Sequence, residues 1–337
     1  MRICANCFND EEIKQFIISS ASAKIDSCDL CCEESISIDI NELSDFFGGL
    51  LDLFVKDDNG QDLVELIQHH WHIFKSIHHA HSILSFFINR NNNSLSIYDK
   101  VSYIQEIKDF LPRWKDLKEE VRERQRFFCD CANYDIDKYI QINDKIRKDT
   151  ILYRARVVPY GEELLEPQNM KCPPKEKATA GRANPIGIPY LYLCSDKETT
   201  CYEIRAVYLD RISIGQFKVL QDLDIVDFSI SHNFSLFNAF SFANSLVDFV
   251  RTKILFDNIS KDISRPLRRF DNTELEYVPT QLVCEYCKQI GADGVRFNSS
   301  LHNGGVNVVL FYPDKVDCIK VETYEVDNVT ILTKLIK

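Results

Sequence analysis

The sequence predicts an α+β protein: a small cysteine-paired segment, then an all-α helical region, then a C-terminal α+β domain with a mixed, mostly antiparallel sheet and flanking helices. Three observations predict it. Two Cys-x2-Cys pairs open the chain, apolar residues at three- and four-residue steps dominate its middle, and after Asp149 come short runs rich in Ile, Val, Tyr and Phe, bounded by Gly, Pro, Asn and Asp. The implied boundaries are 1–37, 38–148 and 149–337.

The chain of 337 residues suffices for two ordinary domains or a large one with an appendage, and 45% apolar residues can fill a core. A formal charge of -11 argues against broad nucleic-acid or anionic-membrane binding, so an anionic ligand must meet local cations. No run approaches the roughly 18 apolar residues of a membrane span, and "MRICANCFNDEEIKQF" has acidic residues where a signal peptide needs its apolar region. A soluble cytoplasmic protein is expected. Thirteen cysteines, an odd number whose tightest cluster is spaced for metal, fit reduced thiols there.

In the first segment, Cys4-x2-Cys7 and Cys28-x2-Cys31 have the spacing of a zinc ribbon or knuckle, because each turn aims two thiolates at one tetrahedral ion. Four thiolates leave no open coordination position, so the zinc would be structural. Cys32 is an alternative to Cys31, and a metal-free helical hairpin is the plainer reading.

From 38 to 147 the pattern is helical. Leu63, Leu66, Ile67, Trp71 and Phe74 fall on one helix face, and "YIQEIKDFLPRWKDLKEEVRERQRFF" reads as a charged helix that Pro112 starts or kinks. His69, His70, His72, His78, His79 and His81 invite a metal or nuclease reading, but polar histidines outside an amphipathic helix need no further role. A HEPN-type ribonuclease would want Arg followed four to six residues later by His on a helix. Only Arg296-x5-His302 has that spacing, in a strand-and-loop setting.

The third segment reads as strands "TILYRARVVP", "IPYLYLCS", "ISIGQFKVL", "LDIVDFSI", "DGVRFNSS", "VNVVLFYP" and "CIKVETYEV", with helices near 196–207, 236–258 and 279–290. Ser195-Asp196-Lys197-Glu198 is spaced as a capping box, so a helix should start at Ser195 and carry Glu203 about two turns in. Tyr192 then lies at a strand's end and Arg182 in the Gly/Pro loop before it, where all three can face one cleft. Cys284-x2-Cys287 sits in an amphipathic helix ended by Gly291, where packing is expected in place of metal.

"LYRAR", "GRANPIGIPYLYLCSDKETTCYEIR" and "GADGVRFNSSLHNGGVNVVLF", in that order, resemble the RES domain over roughly residues 149–325. More loosely, the front of the chain resembles the zinc-ribbon and HEPN-like region that precedes RES in longer proteins. The resemblance implies a fold related to ADP-ribosyltransferases, NAD as substrate, and a toxin or defence effector that destroys NAD by hydrolysis or phosphorolysis. It also implies an antitoxin or regulatory protein as partner, while oligomeric state stays open. The family's arginines fall on Arg154 and Arg182, its tyrosine on Tyr192, glutamate on Glu203, serine on Ser299 and asparagine on Asn307, with Ser300 a near-equal candidate for the serine. Ala183 stands where many relatives have Trp.

The chemistry suits these types. Arginines grip diphosphate, a tyrosine face can hold the nicotinamide cation, and a carboxylate can stabilise the oxocarbenium-like sugar as the bond breaks. Ser299 would orient the ribose or amide, and it is no nucleophile because no His–Asp pair is placed for it. Plainer readings stay open: Arg154 paired with a buried carboxylate, Tyr192 in the core, Glu203 solvated, Ser299 and Asn307 capping turns. So do rival functions, namely ADP-ribose transfer to a macromolecule or a non-catalytic nucleotide-sensing module. Water, phosphate or a macromolecule could each be the acceptor.

Overall fold

The structure, a computed structural model, describes residues 1–90, 94–229, 234–242, 245–266 and 273–330. Compactness divides the chain differently from composition. One unit joins Met1–Pro112 with Ser231–Ile254, and the other joins Arg113–Ile230 with Leu255–Lys337.

The first unit opens with β1 (Arg2–Cys4), α1 (Glu11–Ser19), β2 (Lys24–Ser27) and β3 (Glu34–Asp39), the strands forming an antiparallel sheet in the order β1-β3-β2. Asp10 caps α1 by accepting from the Glu12 and Ile13 amides, which would otherwise lack partners. Then come α2 (Ser44–Leu51), β4 (Phe54–Asp62), α3 (Leu63–Trp71), α4 (Ile77–Arg90), β5 (Lys100–Tyr103) and α5 (Gln105–Lys108). Leu63, Leu66, Ile67 and Trp71 do share the buried face of α3, but the helix ends at His72, whose φ is 49°, so Phe74 is buried from the following loop. There it stacks on Phe47, which stacks in turn on Phe87.

The stretch expected to be all helix contains the β4–β5 ribbon. Gly60 permits it: a Cβ there would stand 2.2 Å from the Val101 carbonyl oxygen, so only glycine lets the irregular β4 lie against β5. The long charged helix is also broken, into α5 and α6 (Arg113–Glu119), with Pro112 at the break as expected.

The second unit continues with α7 (Ile136–Tyr139), β6 (Asp144–Ile146), β7 (Ile151–Val158), β8 (Leu191–Cys194), α8 (Lys197–Glu203), β9 (Arg211–Val219) and β10 (Leu223–Asp227). Next come α9 (Leu236–Phe242) and α10 (Leu246–Ser264), which as far as Ile254 belong to the first unit, and then, again in the second, α11 (Thr273–Glu276), α12 (Val278–Gln289), β11 (Gly294–Asn298), β12 (Val306–Leu310) and β13 (Val316–Glu325). The helix expected over 236–258 thus corresponds to α9 and α10, with 243–244 between them outside the described residues.

The eight strands form one sheet, ordered β13-β9-β7-β8-β12-β11-β10-β6, in which only β10 and β11 pair parallel. Alternation fixes its two faces. Leu152, Leu191, Leu193, Val308 and Leu310 pack with Met170 and Phe217 on one side, while Tyr153 and Ala155 pack with Ile214 and with Cys201 and Ile204 of and beside α8 on the other. Arg296 of β11 binds Asp144 of β6 and the buried Asp227 of β10, closing the far edge. On α12, Cys284 and Cys287 are fully buried, as packing predicts, and Gly291 ends the helix region with φ 93°.

Candidate functional site

Two groups of side chains converge in this molecule. In the first unit the sulfurs of Cys4, Cys7, Cys28 and Cys31 all lie within 4.8 Å of one another. The separations Cys4–Cys7, Cys4–Cys31 and Cys7–Cys28 are 3.8, 3.5 and 3.6 Å. Zinc–sulfur bonds of about 2.3 Å in a tetrahedron require sulfurs about 3.8 Å apart, so the set fits such an ion. Crowding shows in the acidities: the hydrogen bond from Cys7 pulls the Cys4 thiol down, while the Cys7 thiol is pushed up by that same bond and by burial. One thiolate forms at its neighbour's expense unless a cation compensates both. Cys32 is exposed with φ 60° and stands outside the set. Among the described residues no other cluster has metal-ligand geometry, the histidines included; His79 bonds Ser76 and His70 bonds Tyr103.

In the second unit a cavity of about 380 Å³ opens beside β7, β8, β12 and α8, lined among others by Arg182, Tyr192, Cys194, Glu203, Tyr277 and Asn307. The helix that carries Glu203 is capped by Asp196, not Ser195: the Asp196 carboxylate accepts from the Thr199 amide at 2.8 Å, while the Ser195 amide still bonds Val306 and extends the strand pairing. The helix therefore starts later than the expected capping box, and Glu203 is its last residue. A larger cavity of about 1110 Å³ borders α8 through Lys197, Cys201, Tyr202 and Arg205, and none of the motif residues lines it.

Glu203 is half-buried in the cavity wall. Its Oε1 accepts from the Ser299 hydroxyl at 2.7 Å and from the Asn307 amide at 2.8 Å, whereas Oε2 has no hydrogen bond among the described residues. The Ser299 hydroxyl also accepts the amides of Leu301 and His302, both at 3.1 Å, so its bonding capacity is full. Ser300 is turned away, donating to the Ser264 carbonyl. Pairing of β8 with β12 sets Asn307 opposite Cys194, whose thiol donates to Asn307 Oδ1 at 3.3 Å. Because a carboxylate only accepts, Asn307 must present its NH2 to Glu203 and its oxygen to Cys194. Burial, and next the Glu203 charge, push the Cys194 thiol well up, keeping it a donor.

Arg182 donates from Nη1 to the Ile263 carbonyl at 2.9 Å, near the end of α10. Tyr192 borders the cavity, with its hydroxyl donating to Asn184 Oδ1 at 2.7 Å and accepting the Ala183 amide at 3.1 Å. Ala183 is fully buried, so the Trp of relatives would find no space in this loop arrangement.

Arg154 lines the same cavity as Arg182 and Glu203 but differs from Arg182 in what its guanidinium binds. It pairs with Gly215, beside which Met170 and Cys318 pack, and its Nη1 donates to the Met170 and Lys171 carbonyls at 3.3 and 3.4 Å. Arg156, two residues on, reaches Asn169 from the same face. The strand's period of two turns the arginine stem away from the face that carries Tyr153, and burial lowers its pKa. Sequence reasoning also missed Cys194 and Asn184. A period-two step from Tyr192 and the Asn-Pro turn signal, respectively, point to them.

The family model for the RES domain matches residues 151–329. Among curated proteins none matches. Among solved structures, the chain is similar to one in the crystal structure of the M. tuberculosis MbcT–MbcA toxin–antitoxin complex, at 13% identity over 56% of this chain and 89% of that one, with a TM-score of 0.31. The matched region spans just over half of the residues and carries seven of the sheet's eight strands, α8 and the Glu203 cavity, and the chain belongs to the RES domain family.

Proposed function

We propose that the Glu203 cavity binds NAD and breaks its nicotinamide–ribose bond, that this NAD loss makes the protein a toxin or defence effector, and that the four cysteines hold a structural zinc ion. The observation that carries the reading is the asymmetry of Glu203. One oxygen is fixed by Ser299 and Asn307, and the other is left for a ligand in the cavity.

As the C1′–N bond breaks, its electron pair leaves with nicotinamide and positive charge grows on the ribose. A preoriented carboxylate stabilises that charge more than it stabilises the ground state, which is the condition for lowering the barrier. Arg182 supplies a guanidinium for the diphosphate. The Tyr192 ring walls the cavity and offers a face to the nicotinamide cation. Ser299 and Asn307 act by orienting Glu203, and Ser300 takes no part. Arg154 braces the 170–171 backbone at the cavity's border in this reading.

Purified protein incubated with NAD should release free nicotinamide, and Glu203→Gln should lower the rate by about 10²–10³, the size seen when one transition-state-stabilising group is lost. Products with and without added phosphate separate hydrolysis from phosphorolysis, and label appearing on a macromolecule would indicate transfer. Expression should arrest growth in a Glu203-dependent way, relieved by a protein partner that covers the cavity. Intact NAD after incubation under all these conditions would sink the proposal.

A further inference from the structure

We infer that Asn184 is a positioning residue of the proposed NAD site: together with the Tyr192 hydroxyl it locks the loop that presents Arg182. This rests on the NAD reading above. The Asn184 side chain is 4% exposed and all its bonds are assigned by necessity. Its Nδ2 lies 3.0 and 3.1 Å from the carbonyls of Thr179 and Pro185, which can only accept, so Oδ1 must face the Tyr192 phenol. The phenol has one hydrogen to give and gives it to Asn184, while its oxygen takes the Ala183 amide. The two residues that follow Arg182 are thereby tied to strand β8.

The loop is also shaped to admit this lock. A Cβ on Gly181 would stand 2.5 Å from both Asn184 Oδ1 and the Tyr192 oxygen, so glycine is the residue that lets the phenol and amide meet. From the other side α12 holds the loop backbone. Gln281 donates to the Gly181 and Asn184 carbonyls at 2.8 and 3.0 Å, and Thr280 donates to the Arg182 carbonyl at 2.6 Å. With the backbone on either side of Arg182 held, the root of its side chain is set, and its guanidinium is anchored at the cavity wall by the Ile263 carbonyl. The Tyr192 hydroxyl is thus spent on the loop, and only its ring is left for a ligand.

Asn184→Ala and Tyr192→Phe test this, the second keeping the ring in case the first folds poorly. In full-length protein, hydrogen exchange at the Ala183 amide should accelerate in both variants, while the Ser195 amide stays protected. Loss of a grip made equally in ground and transition states should raise KM for NAD about tenfold in Asn184→Ala with kcat within about threefold. Arg182→Ala should raise KM at least as much, and adding Asn184→Ala to it should change nothing more. Unchanged Ala183 exchange would show there is no lock. Faster exchange with unchanged KM, or additive effects of the two substitutions, would show that the lock does not position Arg182. A wild type that leaves NAD intact would overturn the functional reading, and with it this role for Asn184, whatever the exchange data show.

Discussion

The cysteine cluster and the Glu203 cavity are both convergences of polar groups, but they satisfy those groups in opposite ways. At the cysteines four sulfurs, like in kind, lie within 4.8 Å of one another. At Glu203 the partners are unlike, and one carboxylate oxygen is held while its twin is not. A symmetric, closed set can only hold; an asymmetric, half-satisfied one can still act on something else. In the proposed reading that difference is what marks one as a structural centre and the other as a reactive one.

The largest test of the contrast is metal removal. Elemental analysis should find one zinc per chain, and chelation or Cys7→Ser should unfold the first unit, since structural zinc contributes on the order of 10 kcal/mol in small domains. Cys32→Ser should leave metal content and melting unchanged. Next, Glu203→Ala should abolish nicotinamide release with a melting temperature near that of the wild type, the reverse of the cysteine result. If Ser299 and Asn307 only orient Glu203, Ser299→Ala should lower kcat about tenfold to a hundredfold with little change in KM, because the lost interaction acts in the transition state. A smaller effect is expected at Cys194. Cys194→Ser keeps a donor toward Asn307 and should retain activity, whereas Cys194→Ala should lose about threefold to tenfold in kcat, the worth of a weak net hydrogen bond of about 1 kcal/mol.

The smallest effect concerns the start of α8. Burial alone would raise the Asp196 pKa, but bonds from the Thr199 amide and hydroxyl outweigh it, so the net shift is downward. A depressed folded-state pKa stabilises the fold above the unfolded value of about 3.9, and that contribution fades as pH falls through the folded value. Acid titration of melting temperature should therefore show a decline below about pH 4 that is shallower in Asp196→Asn.

Much of the arrangement was legible because it is local. Cys-x2-Cys spacing is a property of a single turn, and the seven strands of the third segment announce themselves by composition. The three residues of β6 have no such signature, and β4 was hidden because a glycine-dependent irregularity interrupts its alternation. The motif residues Arg182, Tyr192, Glu203 and Asn307 do line one cavity, and Ser299 reaches it through Glu203. Arg154 lines that cavity too, but its bonds to the Met170 and Lys171 carbonyls were not legible, because in "LYRAR" two faces alternate and tertiary pairing decides what the arginine meets. Asn184 and Cys194 were invisible as function because their partners are not ligands but other side chains brought near by pairing.

The parallel pairing of β10 with β11 has a practical consequence. Parallel neighbours cannot be joined by a hairpin, so the chain leaves the sheet after Asp227 and re-enters at Gly294, and within that excursion Leu236, Phe237 and Val250 are built into the hydrophobic interior of the first unit. A fragment beginning at residue 149 would carry those three side chains without the interior that encloses them, and would lack β6 as well. Dissection of this protein by a single cut would yield a sticky, incomplete piece, so its two halves are best probed by substitutions within the intact chain.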